Sequence, residues 1–138
     1  VLIIRRGGRG CQEVALGQSV VVIYRLLPAV IEVRRYVTGA GRTVFSEWFA
    51  GLADRHAKAR IADRLDRLEQ GSFGDCRPLS GGLYELRIDW GPGYQIYYAM
   101  IGRTCLLLLC GGDKRKQSAD IQRAREYLRD YRERTRIQ

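Results

Sequence analysis

Between Tyr84 and Met100 the sequence alternates with a period of two and is broken once, by Gly91-Pro92-Gly93. Tyr84, Leu86 and Ile88 alternate with Glu85, Arg87 and Asp89. Ile96, Tyr98 and Met100 alternate with Gln95, Tyr97 and Ala99. A period of two places one set on each face of a β-sheet, and a glycine-proline-glycine break joins the two runs as a hairpin. Gly102-Arg103 then marks a reversal. Cys105 to Cys110, with four leucines inside it, is apolar on both faces and reads as a central strand that Gly111-Gly112 ends. A chain with this block must build an antiparallel sheet and cover it.

The remaining patterns supply the cover. Ile31 to Val37 reads as a first strand from its β-branched residues. Thr43 or Ser46 can cap a helix with Phe45, Trp48, Phe49 and Leu52 on one face. Asp54 caps a second helix with the stripe Ala57, Ile61, Leu65 and Leu68, which Gly71 ends. The two helices form a hairpin on the sheet. A last helix runs from about Ser118 to Arg134 with Ile121, Ala124, Leu128 and Tyr131 as its stripe. The expected fold class is α+β: two N-terminal helices packed on a twisted, mostly antiparallel sheet, then a C-terminal helix. Residues 1–30 differ from the rest. They hold a glycine-arginine opening, expected to be mobile, and the run Val20 to Tyr24, which forms a strand or docks on the body. They read as an accessory arm, with the functional domain at 31–138.

Composition narrows the chemistry. The 138 residues suit one compact domain, and a formal net charge of +9 favours an anionic partner. The single histidine, His56, lies in a polar helical stretch, which leaves zinc chemistry and a Ser-His-Asp triad unsupported. Cys11, Cys76, Cys105 and Cys110 match no zinc or redox spacing and read as small buried hydrophobes. No apolar run is long enough to span a bilayer, a signal peptide finds little support, and the cytoplasm is the default location. The expectation is no metal, no cofactor and no membrane.

The hairpin places Arg87, Gln95 and Tyr97 on one face, together with Glu85. If the helices cover only the other face, this one is open, with a cation, an amide and a phenol able to seat a phosphate and a base. The segment Gly111 to Gln117 follows the central strand, and Lys114 and Lys116 can neutralise phosphate charge there. It is not a P-loop, because the glycine-lysine-serine/threonine pattern is missing. Were the anion an RNA phosphate, cleavage with a single, badly placed histidine would rely on Arg and Lys electrostatics together with Tyr, Asp or Glu. Lys114 is then the proton donor or phosphate clamp, Arg87 the fixed charge, and Glu85 and Asp113 the groups that orient them. Ordinary solvent-facing sheet residues and a solvated charge run account for the same patterns.

The segments FSEWFAGL (45–52), DRHAKARIADRLDRLEQGSFGDCRPL (54–79), GGLYELRIDWGPGYQIYY (81–98) and LLLLCGGDKRKQSADIQRA (106–124) resemble the addiction-module killer proteins of the HigB type, within the RelE/ParE toxin superfamily. The resemblance runs over about residues 31 to 132. It implies a compact RelE-like fold and a toxin of a type II toxin–antitoxin system. Many members are ribosome-dependent mRNA endoribonucleases, and the resemblance implies that activity here. The implied partners are a helix-turn-helix antitoxin, mRNA on the ribosome and, through the antitoxin, operator DNA. The implied catalytic residues are Arg87 and Lys114. Tyr94, Gln95, Tyr97, Lys116 and Gln117 are the implied RNA-binding residues. At position 95 the family usually has arginine; glutamine brings neither a charge nor a bidentate fork. The resemblance leaves two other readings open: a ParE-like inhibitor of DNA gyrase, and a degenerate toxin homologue that only binds its antitoxin.

Overall fold

The computed structural model describes residues 2–7, 11–16, 19–24 and 30–136, with side chains from 30 to 136. Three strands, β1 (Leu2–Gly7), β2 (Cys11–Leu16) and β3 (Ser19–Tyr24), pair antiparallel in their own sheet. Val20 to Tyr24 therefore forms a strand. Arg5, Arg6 and Gly7 lie in β1, paired with β2, which corrects the expectation of mobility for them. The rest of that opening, Gly8 to Gly10, lies outside the described residues.

The α+β domain follows. Its elements are β4 (Glu32–Arg35), α1 (Val44–Ala50), α2 (Arg55–Glu69), β5 (Cys76–Pro78), β6 (Leu83–Ile88), β7 (Tyr94–Met100), β8 (Cys105–Asp113) and α3 (Gln117–Arg136). The sheet order is β4-β8-β7-β6-β5, antiparallel except where β4 lies parallel to β8. The hairpin closes on the expected register, with Arg87 opposite Gln95 and Glu85 opposite Tyr97.

One face packs α1 and α2. Phe45, Ala57, Ile61, Leu68, Leu86, Ile96, Tyr98 and Leu108 form its core, with Trp48, Phe49, Leu52 and Leu65 against it. Asp54 caps α2 as its sequence position predicts, accepting bonds from the His56 and Ala57 amides at 2.9 and 3.2 Å. Its other oxygen accepts the Trp90 indole N–H at 3.0 Å, tying the β6–β7 turn to the start of α2. Thr43 stands at the N-terminus of α1 but makes no side-chain cap.

The second face is not open. Helix α3 lies across it and seals a second core of Leu83, Tyr97, Ala99, Leu107, Leu109, Cys110, Ala124 and Leu128. A bulge between Tyr97 and Tyr98 leaves Leu109 without a partner in β7, and both Leu109 and Cys110 join the core under α3. The physical reason for the correction is plain. The alternate positions of β6 to β8 carry a second apolar set, and the Ala124–Leu128 stripe must bury its own surface somewhere.

Two further expectations change. Gly111 and Gly112 do not end β8, which runs on to Asp113. They are places of close approach: a Cβ at Gly111 would collide with the Trp48 ring, and one at Gly112 with the Asp120 carboxylate. The middle of the five strands is β7; β8 sits between β7 and β4, buried on both faces for most of its length. A short 3-10 turn (Lys114–Lys116) leads into α3, and the Asp113 side chain caps that turn by accepting from the Arg115 amide at 2.9 Å.

Candidate functional site at the end of the hairpin

The β6–β7 hairpin and the end of β8 enclose a cavity of about 280 Å³. Arg87 enters from β6, Gln95 from β7 and Lys114 from the residue after β8. Asp75, Asp89 and Tyr94 complete the lining that bears on its chemistry. The register explains the meeting. Arg87, Gln95 and Gly112 lie in one row across three strands, and Lys114 is two residues beyond that row.

Gly93 makes room for the lysine. Its φ of 80° suits glycine, and the Lys114 alkyl chain lies over the space a Cβ would take, with Cε 3.0 Å from that point. Arg87 is held by Asp75: Nη2 and Nε donate to the same Oδ1 at 3.0 and 3.3 Å, and the Arg87 amide donates to the Asp75 carbonyl at 2.9 Å. Both side chains are about half exposed, so the pair orients the guanidinium more than it stabilises the fold. Arg87 Nη1 makes no hydrogen bond among the described residues. With Asp75 and Asp89, the lining holds two carboxylates against two cations.

Gln95 is buried, and its Oε1 has no hydrogen-bond partner among the described residues. The place beside it, where residue 112 would carry a side chain, is filled by the Asp120 carboxylate reaching down from α3. Burial is the main cause that raises the Asp120 carboxyl above its ordinary range; Arg123 opposes this from 3.7 Å.

The other expected residues are placed differently. Tyr97 is fully buried under α3, not on an open surface. Its hydroxyl has no hydrogen bond of normal geometry. Burial first, and the nearby Glu85 charge second, push the phenol far above its usual range. Glu85 is also fully buried and does not orient Arg87. It accepts from Arg77 Nε and Gln117 Nε2, both at 2.9 Å. Gln117 thus belongs to a partly buried network around Glu85 rather than to the cavity. Asp113 bonds Arg115, not Lys114; that hydrogen bond is the main cause lowering its carboxyl. Lys116 is exposed outside the cavity lining. Tyr94 touches the cavity from the opposite face, with its ring against Trp48.

Asp75 and Asp89 escaped the reading of the sequence. Asp89 was legible as a member of the alternating set. Asp75 was not, because it precedes a three-residue edge strand with no pattern of its own.

No protein-family model matches the chain. It is 43% identical over 81 residues to an uncharacterized protein of Haemophilus influenzae, across 59% of this chain and 82% of that one. The chain belongs to that protein's family. The shared length exceeds half of the chain, so the family likeness is one of domain scale. No described helix is long and apolar enough to cross a membrane.

Proposed function

We propose that the chain is the toxin of a type II toxin–antitoxin system, acting in the cytoplasm as a ribosome-dependent mRNA endoribonuclease without a metal. The observation that carries this reading is the meeting of Arg87 and Lys114 in one open cavity at the end of the hairpin. The killer-protein motifs of the sequence and the net charge of +9 agree with it.

In this reading the scissile phosphate sits between the Arg87 guanidinium and the Lys114 ammonium. The 2′-oxygen of the ribose attacks the phosphorus and the bond to the 5′-oxygen breaks. A cavity carboxylate, Asp89 or Asp75, takes the 2′-hydroxyl proton. Lys114 gives a proton to the departing 5′-oxygen, and Arg87 offsets the charge that builds on the phosphate. Gln95 donates an amide hydrogen bond where a charged arginine would act more strongly. A helix-turn-helix antitoxin neutralises the toxin and brings it to operator DNA.

The test is induction in cells with mapping of mRNA ends. Cuts inside translated reading frames are expected. Lys114→Ala should reduce them by roughly 10²-fold or more, and Arg87→Ala by a similar order, in proteins that still fold. Full cleavage by Lys114→Ala would sink the site.

A second reading has its own observation. Two carboxylates offset the two cavity cations, and position 95 carries no charge. A ParE-like inhibitor of DNA gyrase, or a homologue that only binds its antitoxin, needs no stronger phosphate clamp than this. Intact mRNA with trapped gyrase–DNA complexes identifies the inhibitor; absence of any growth effect identifies the binder.

A further inference from the structure

A second groove lies away from the cavity, between α3 and the loop that leads into β6. Its volume is about 360 Å³. Arg125, Arg129, Arg132 and Arg136 line it at i, i+4, i+7 and i+11, which is one stripe of the helix. Leu128 lines it from the helix and Gly81 from the loop, and Glu133 is its one acid.

The stripe is uncompensated by design of the helix rather than by composition alone. Two other arginines of α3 have acids of their own: Arg123 faces Asp120 at 3.7 Å, and Arg134 faces Asp130 at 2.7 Å. None of the four groove arginines is in an ion pair among the described residues. Two of them are also positioned. Arg125 donates from Nη2 to the Leu79 carbonyl at 2.6 Å and from Nη1 to the Ser80 carbonyl at 3.2 Å. These are neutral acceptors, so the full charge remains. Arg132 lies against Gly82, where a Cβ would stand 2.6 Å from its Nη2. Gly82 has φ 83°, and the absence of a side chain there opens the groove to the guanidinium.

From this geometry we infer that the α3 groove binds the phosphodiester backbone of a nucleic acid at a site separate from the Arg87–Lys114 cavity. Guanidinium groups match phosphate oxygens in shape and charge, and an unpaired row of them favours an extended polyanion over a single ion. Eleven residues of helix span about 16 Å. That length lets one extended strand meet several of the guanidinium groups at once. The inference does not depend on cleavage at the cavity.

Binding is measured by fluorescence anisotropy of the full chain with a labelled oligouridylate RNA and with an oligothymidylate of equal length. The double variant Arg129→Ala/Arg136→Ala removes two exposed charges that make no described contact. It should weaken oligouridylate binding by roughly tenfold at low salt. It should also reduce the slope of log affinity against log salt by about 1.4, or 0.7 for each lost contact to a single strand. Arg129→Lys/Arg136→Lys should keep most of the slope. The same loss should appear in a Lys114→Ala background, which separates this groove from the cavity. Oligothymidylate should bind comparably if the backbone alone is read; tighter RNA binding would add a contact to the 2′-hydroxyl within the same groove. Hydrogen exchange of the unsubstituted protein reads the same contact, with slower exchange over 125–136 when RNA is present. An unchanged slope in the alanine variant, no protection of α3, or tighter binding of an oligoglutamate peptide than of RNA would each overturn the inference. The last would make the groove a seat for an acidic polypeptide.

Discussion

Asp120 shows how much a single missing side chain can rearrange. Because residue 112 is glycine, a carboxylate from α3 occupies the place beside Gln95. Its carboxyl is raised mainly by burial, so the folded protein holds that proton more tightly than the unfolded chain does. The stabilising contribution is present below the ordinary value of 3.8 and is lost as pH rises through the folded value. Asp120→Asn should therefore gain stability relative to the parent at pH 7 but not at pH 3, as read from thermal midpoints across that range. An equal difference at both pH values would refute it. Gln95→Arg has a related expectation. The new guanidinium finds Asp120 beside it and the cavity in front, so RNA cleavage should rise and the Asp120 carboxyl should titrate lower, as followed by NMR.

Strand β8 is the element on which both faces depend. Gly111 admits the Trp48 ring on one side, and Gly112 admits Asp120 on the other. Gly112→Ala should destabilise by about 1–3 kcal/mol or more, because the clash is with the end of a buried side chain whose helix is already packed. Urea unfolding measures it, and an unaltered midpoint would mean that α3 shifts freely. At this scale the sequence was readable wherever a period was strong. The α2 stripe, the Asp54 cap and the hairpin register all follow from spacing, and the strand expected over 31–37 from its β-branched residues forms over 32–35. The two glycines of β8 were not readable in this way. A glycine pair after an apolar run has the same local signature whether it turns the chain or admits a neighbour, and only the tertiary partner decides. Arg87 was legible from the hairpin alternation and Lys114 from the basic segment after the apolar strand; that they line one cavity follows from the register, which sets Lys114 two residues beyond the Arg87–Gln95–Gly112 row. The burial of Tyr97, Gln95 and Glu85 was not, because a modest stripe on α3 gives no indication of which surface it seeks.

For the molecule as a whole, α3 turns a sheet with one covered face into a sheet with two. Leu128, nearly inaccessible at 3% exposure, is a main anchor of that second layer. Leu128→Ala should cost about 2–5 kcal/mol in urea unfolding, and a loss well below that range would mean α3 is only loosely held. The sheet itself closes in an order the chain cannot hurry. Strand β4 stands at the start of the domain and pairs with β8 near its end, Glu32 beside Cys105 and Arg35 beside Leu108. Such remote partners must wait for loop closure over most of the domain. During synthesis, then, a nascent chain emerging from the ribosome holds its first edge strand idle until the last strand has cleared the tunnel. Lys114 follows β8 directly, so the cavity is complete only once that late strand has taken its place beside β7.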